Sequence, residues 1–366
     1  MSKPVTMRQI GNAMGVSTVT VSKALGGKDG VSDAVRAQII EKAREMGYQY
    51  PVPPKMLKAE DGQDIGILVP DRFFSDNSFY AALHKRVVQR LLEASLYGIL
   101  EILYARDEQE LKLPAMVRSG KVGALIVMGQ VSEEYMQSLL ITKMPSVFLD
   151  FYTEHADVTS VVSDSVYGAF LLTNHLVHMG HRDIAFVGDI RATSSILDRY
   201  LGYYKSLLQN GIALNPQWVL PDRDENGLLM EVKLPEKMPT AFVCNCDEMA
   251  HLLMGQLKRA GYQMPQDISI VGFDDFLFAR LCNPPLTTFL VDQDAMAKAA
   301  VKALVKKLHG QSGHNGRIVI SGHVVYRDSV RNLRYAFEQS NSQGGRENGG
   351  RQDLQRGEPS QYPMAK

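Results

Sequence analysis

Six side chains in a run of seven, Ser17, Thr18, Val19, Thr20, Ser22 and Lys23, have the chemistry to read a DNA duplex. Thr18 can donate or accept a hydrogen bond, and the Val19 methyls suit a thymine methyl. Lys23 can reach guanine O6 and N7 or a phosphate, without the bidentate fork of arginine. The hydroxyls of Ser17, Thr20 and Ser22 suit phosphate oxygens, which position a protein without specifying sequence. Elsewhere reactive chemistry is sparse. His175, His178 and His181 are spaced like a metal cluster, but no carboxylate or cysteine completes a ligand set, so a structural role is the better reading. No zinc is expected at Cys244 and Cys246. There is no G-x-S-x-G, no P-loop and no G-x-G-x-x-G after a strand. No catalytic residue, metal or cofactor is expected, and the chain does not read as an enzyme.

The elements around the first cluster fit that chemistry. Val5 to Ala13 reads as a short helix with Met7, Ile10 and Ala13 on one face, and Gly15 suits a tight turn that needs positive φ. Ser17 is a good N-cap for a second helix, in which Val21, Ala24 and Leu25 face inward and Thr18, Val19, Ser22 and Lys23 face outward. That is the arrangement of a helix-turn-helix whose second helix meets the major groove. A third helix is expected from Ser32 to Met46, with Gly47 at its C′ position. Residues 1–60 carry nine Lys and Arg against five Asp and Glu, while the whole chain of 366 residues has a formal net charge of zero. A basic head on an acidic body suits contact with phosphates.

Residues 51–63 contain Pro51, Pro53 and Pro54 and read as a linker. Beyond Ile65 the texture becomes apolar strands alternating with amphipathic helices, including a helix over Leu111–Arg118. Doubly apolar strands separated by helices imply parallel sheets with right-handed crossovers, here in two doubly wound lobes. The tail, 336–366, has no Ile or Val and is expected to be disordered. Three cysteines give no disulfide framework, no apolar leader or membrane span is evident, and a cytoplasmic location is expected.

This order of parts resembles the LacI/GalR (lactose-repressor) family of bacterial transcription regulators over residues 4–330. The recognition helix matches V-S-x-x-T-V-S-(R/K)-x-L, and Gly47-Tyr48 matches the G-Y before the hinge. Further matches are Gly180-His181-Arg182, Ile184 to Gly188, Arg199 with Gly202-Tyr203, Asp247 with Met249-Ala250, Ile270 to Asp275, and Pro284 to Thr288. The resemblance implies a helix-turn-helix head (1–50), a hinge (51–63) and a periplasmic-binding-protein-like α/β core (64–335). The first lobe would take about 64–162 plus 292–322, and the second about 163–291 plus 323–335. It also implies a homodimer on a pseudo-palindromic operator, with Leu57 as a minor-groove wedge on a hinge helix. The prolines at 51, 53 and 54 depart from the family, and leave room only for a short helix starting at Pro53 or Pro54. For a small-molecule effector between the lobes, the resemblance picks Asp71, Phe79 and Asp150 on the first lobe and Arg199, Asp247 and Asp274 on the second. Phe73, Phe74, Tyr80, Phe151 and Tyr152 add aromatic material, divided between core and cleft. Arg199 and Asp274 could equally form a structural ion pair. The family's Asn before Asp247 is Cys246 here, and Asn245 would point the other way on a strand.

The expected function is therefore that of a DNA-binding regulator, most simply a repressor, controlled by a carbohydrate. The competing readings are a solute-binding or sensor protein without DNA function, and the same regulator with a purine-like effector.

Overall fold

The computed structural model describes residues 5–26, 30–48, 64–74, 79–154, 158–311 and 316–334. The linker with Leu57, and the tail 336–366, lie outside the described residues. The head holds α1 (Met7–Met14), α2 (Thr18–Leu25) and α3 (Asp33–Glu45). Its caps are local. Thr6 and Gln9 form a capping box on α1, Ser17 accepts from Thr20 N on α2, and Gly15 takes φ 67° between them. Ile10, Val21, Ala24, Ile39 and Ala43 close a small core.

The first lobe contains β1 (Asp64–Pro70), a 3-10 turn (Asp71–Phe73), α4 (Phe79–Glu93), β2 (Gly98–Leu103), α5 (Ala105–Gln109), α6 (Ala115–Arg118), β3 (Val122–Met128), α7 (Glu133–Ile141), β4 (Ser146–Leu149) and β5 (Thr159–Ser163). The second contains α8 (Ser165–His178), β6 (Ile184–Val187), α9 (Ser194–Gln209), β7 (Val219–Leu220), β8 (Ala241–Cys244), α10 (Asp247–Arg259), β9 (Ser269–Asp274), α11 (Leu277–Leu281) and β10 (Thr287–Leu290). The chain then returns to the first lobe with α12 (Gln293–Leu308) and β11 (Gly316–Ile320), and crosses once more to place β12 (His323–Val325) in the second. Strand orders are β11-β5-β4-β3-β1-β2 and β12-β10-β9-β8-β6-β7, parallel except for the β10–β12 pair.

Alternation along each strand feeds two layers of core. Ile65, Ile67 and Val69 of β1, with Ala124, Ile126 and Met128 of β3, meet Leu83, Val87 and Leu91 of α4 and Met296 and Ala300 of α12. The opposite residues, Leu68, Leu125, Val127 and Phe148, meet Met116, Tyr135 and Leu139. The second sheet repeats the scheme: Phe186, Val243 and Phe273 face α8 and α9, and Val187, Phe242 and Ile270 face α10.

The helix expected over Leu111–Arg118 is not formed as such. Pro114 is the N-cap of α6, and Leu111 takes φ 51°, so the segment breaks into a turn followed by one helical turn. Proline disfavours helical backbone in the residue before it, which accounts for the break.

Helices α8 and α9 pack backbone to backbone at Gly202, where a Cβ would sit 2.1 Å from the Val166 carbonyl oxygen. Gly202→Ala should therefore lower stability by about 2–3 kcal/mol, the cost of overpacking a tight core. Gly255→Ala on α10, whose nearest obstacle is the mobile end of Arg259 at 3.6 Å, should raise it by roughly 0.5–1 kcal/mol. Urea unfolding of both variants checks the pair; equal effects of the same sign would contradict the packing argument.

Candidate functional site

In open parallel sheets, ligand-facing groups collect at the C-terminal strand ends. Both sheets turn those ends toward one cleft of about 320 Å³. Asp71 follows β1, Phe79 opens α4 and Asp150 follows β4; Arg199 comes from α9, Asp247 opens α10 and Asp274 ends β9. All six line the cleft.

Arg199 is the centre of the second-lobe wall. Its guanidinium donates to the Asn245 carbonyl at 2.5 Å, lies 3.4 Å from Asp274 Oδ1 and sits 4.0 Å from the Phe273 ring centroid. Its Nε has no partner among the described residues. So Arg199 and Asp274 form an ion pair and line the cavity as well. Burial raises the Asp274 carboxyl to about 7, against the opposing pull of Arg199. The backbone of Asp274 sits at φ 117° and that of Asp150 at φ 69°, both unusual for a residue with a side chain.

Asp150 is buried, accepts from Tyr80 Oη at 2.7 Å through Oδ2, and has no partner for Oδ1 among the described residues. Burial holds its carboxyl above the usual carboxylate range and the Tyr80 phenol well above its own. Asp71 is half-buried and accepts from Arg72 N at 2.8 Å.

Asp247 is placed differently. Its Oδ1 accepts from Thr288 Oγ1 at 2.6 Å and its Oδ2 from Phe276 N at 2.9 Å. A Cβ on Gly272 would stand 2.3 Å from Oδ1, so glycine there makes room for the carboxylate. With both oxygens engaged, Asp247 fastens the loop after β9 to α10.

Several lining residues escaped the sequence reading. Arg223, Glu248, Phe276 and Phe278 line the cleft. Arg223 follows a two-residue strand in a stretch without periodicity. Asn245 lines it as well, contrary to the strand argument, because β8 ends at Cys244 and alternation stops there. Its amide donates to the Val187 carbonyl (3.0 Å) and Asp222 Oδ2 (2.6 Å), which leaves Oδ1 without a partner among the described residues. Cys246 takes the N-cap of α10, with Sγ accepting from Met249 N at 3.4 Å, and burial pushes its thiol up to about 12.

Of the aromatic set, Phe73, Phe74 and Tyr80 line the cleft. Phe151 is core, stacked on Phe148 at 4.6 Å, and Tyr152 donates to Asp198 at 2.9 Å. His181 is buried between Thr240 Oγ1 (2.9 Å) and the Arg331 carbonyl (3.1 Å), and burial lowers its pKa to about 4. Among the described residues no group of His, Cys, Asp and Glu could hold a metal ion.

In the head, Ser17, Thr18 and Val19 are exposed, Val19 to 64%, while Thr20, Ser22 and Lys23 are half-buried. The head also holds a residue that the sequence reading missed. Buried Arg36 donates to the carbonyls of Lys23 (3.2 Å) and Ala24 (2.9 Å), fixing the C-terminal end of α2.

Comparisons with known proteins agree with both parts. The profile of bacterial regulatory proteins of the lacI family matches residues 6–50, and that of the periplasmic binding protein-like domain matches 173–330. The chain is 28% identical over 335 residues to the ribose operon repressor of Haemophilus influenzae, covering 90% of this chain and 99% of the relative. It is 26% identical over 341 residues to the HTH-type transcriptional repressor CytR of Escherichia coli K12, covering 90% and 97%. Among solved structures it is similar to the transcriptional regulator CelR–cellobiose complex (TM-score 0.67, 21% identity, 89% and 99% covered). It is also similar to the lac repressor dimer bound to operator and the anti-inducer ONPF (TM-score 0.61, 21% identity, 90% and 100% covered).

The raised Asp274 carboxyl carries a stability consequence. Between the unfolded value near 4 and the folded value of about 7 the folded state keeps a proton that the unfolded state has lost, so this group's contribution falls as pH rises through that window. Asp274→Asn should be more thermostable than the parent above pH 7, by roughly 4 °C or more, with the gap closing toward pH 4. Thermal unfolding across pH tests this; a gap that widens on acidification reverses the sign and rejects the account.

Proposed function

Since the chain belongs to the lacI family of bacterial regulatory proteins, whose members are regulators rather than enzymes, we propose that it is a repressor controlled by a saccharide bound between its lobes. The observation that carries the saccharide is the mixture of unsatisfied groups among the residues that line one cleft. Asp150 Oδ1 and Asn245 Oδ1 want donors, while Arg199 Nε and Arg223 Nε want acceptors. A hydroxyl serves either need, and a ring of hydroxyls serves several at once. Phe79 and Tyr80 offer apolar faces for ring C–H groups. The ribose operon repressor and the cellobiose complex of CelR, two of the similar proteins, are named for saccharides.

The DNA side rests on the exposed start of α2. Thr18 and Val19 face the base edges, Lys23 reads a guanine, and Ser17, Thr20 and Ser22 hold phosphates. Leu57 is the wedge of the hinge. A homodimer places two heads on half-sites about one helical turn apart, and a ligand that favours one arrangement of the lobes changes their fit.

Two experiments test these assignments. In a thermal-shift screen of ribose, glucose, galactose, cellobiose and free nucleobases, a saccharide should raise the melting temperature by mass action, with about 2.7 kcal/mol of stabilisation at a hundredfold excess over Kd. Arg199→Ala should abolish that shift, together with the saccharide's effect on an operator selected from random duplexes. A shift with nucleobases alone rejects the saccharide, and a full response in Arg199→Ala rejects the site. Lys23→Ala should weaken operator binding by roughly 1–3 kcal/mol and relax discrimination at one base pair. Unchanged specificity with only a shallower salt dependence would make Lys23 a phosphate contact instead.

A further inference from the structure

The charge layout of the cleft narrows the saccharide further, an inference that rests on the carbohydrate reading. Each guanidinium in the wall already has a carboxylate. Arg72 donates to Glu108 at 2.6 Å and to the Gln130 carbonyl at 2.6 Å. Arg199 pairs with Asp274 at 3.4 Å, and Arg223 Nε lies 3.6 Å from Asp222. Asp71, Asp150 and Glu248 also line the cavity, and among the described residues none of the three has an ion pair shorter than 4 Å. The cleft thus carries more carboxylates than cations.

Asp150 marks where that surplus is most exacting. It is 5% exposed, Tyr80 satisfies only Oδ2, and Oδ1 is left without a partner. Its partner Tyr80 belongs to a cluster of rings. Tyr80 stacks on Phe73 at 5.2 Å and meets Phe79 edge-on at 5.5 Å. A carboxylate beside aromatic rings is a setting that favours a cation, through Coulomb attraction and through the ring quadrupoles. A neutral sugar would hydrogen-bond Asp150 but would leave the surplus charge buried under the ligand, which is costly.

We propose that the effector is an amine-bearing saccharide whose ammonium group sits against Asp150, Asp71, Phe79 and Tyr80 on the first lobe, while its hydroxyls engage Arg199 and Asn245 on the second. An ammonium beside Asp150 favours the ionised carboxylate.

The test uses the full-length protein and pairs of sugars that differ in one group: glucose against glucosamine, galactose against galactosamine, and cellobiose against fully deacetylated chitobiose. Titration calorimetry near neutral pH should show the amine of one pair binding about tenfold or more tighter than its hydroxyl partner, equivalent to about 1.4 kcal/mol. The preference should vanish on N-acetylation, weaken with salt, and disappear in Asp150→Asn. If Asp150→Asn does not fold, Asp71→Asn takes its place, with a partial loss of preference expected. A hydroxyl partner that binds as tightly as its amine, or tighter, overturns the amine while leaving the carbohydrate reading intact. If no saccharide binds and operator binding persists, the carbohydrate reading falls, and this inference with it.

Discussion

A guanidinium held in a wall that excludes most water must be compensated on every side, and the cleft is organised around that requirement at Arg199. Only 7% of its side chain is exposed. Three neighbours of different chemistry answer it: a backbone carbonyl at Asn245, the Asp274 carboxylate and the Phe273 ring. None is free to move alone. Asn245 is tied to Asp222 and to the end of β6, Asp274 terminates β9 at φ 117°, and Phe273 packs on Phe289 at 4.9 Å. The strain at Asp274 persists because its pairing with Leu290 of β10 and the bond from Val291 N to its carbonyl hold it, as is common where backbone serves a binding site. Burial makes the pair costly to keep charged, and a ligand that supplies matched donors and acceptors relieves both groups.

Helix α9 carries this centre and also joins the lobes. Its first turn receives a first-lobe bond, Ser194 N to Gln130 Oε1 at 3.0 Å, and a turn later Asp198 accepts from Tyr152 of the first lobe at 2.9 Å. The same helix is locked to its own lobe by the contact at Gly202 and by Tyr203 Oη, which donates to the Ile184 carbonyl at 2.8 Å. The proposed ligand contact at Arg199 and the contacts between lobes therefore belong to one helix.

The parts that local chemistry determines were legible in the sequence. The head follows from caps and i, i+3, i+4 spacing, and Ser17, Gly15 and the Val21–Ala24–Leu25 stripe fall where those rules put them. The two-lobed α/β core was legible from the alternation of apolar strands and helices. Strands β5 and β10 were not, because Thr159-Ser160-Val161-Val162-Ser163 and Thr287-Thr288 do not look apolar enough to be buried. Their hydroxyls are tolerated inside because distant groups satisfy them: Thr288 finds Asp247, and Thr287 finds the Arg327 carbonyl. The same kind of tertiary satisfaction gives Asp247 a fastening role that its motif did not reveal. Arg223 and Asn245 were missed or misjudged because a strand's alternation says nothing once the strand has ended.

The two functional regions answer to different physics, which explains how one chain can couple them. The head presents short polar groups on an exposed helix, and the proposed contacts there are many, weak and open to screening by salt. The cleft concentrates a few buried charges, each with a large desolvation cost, among aromatic rings. A ligand there changes the balance of terms of several kcal/mol, whereas any one contact in the head contributes about one to three. Coupling is reciprocal, so operator binding must bias the cleft by the same free energy with which the ligand biases the heads. Because the cleft is built from both sheets and bridged through α9, the quantity that both ends share is the relative placement of the lobes. Under the proposed control by a ligand, affinity that depends on that placement is what would make the cleft a control element rather than a store.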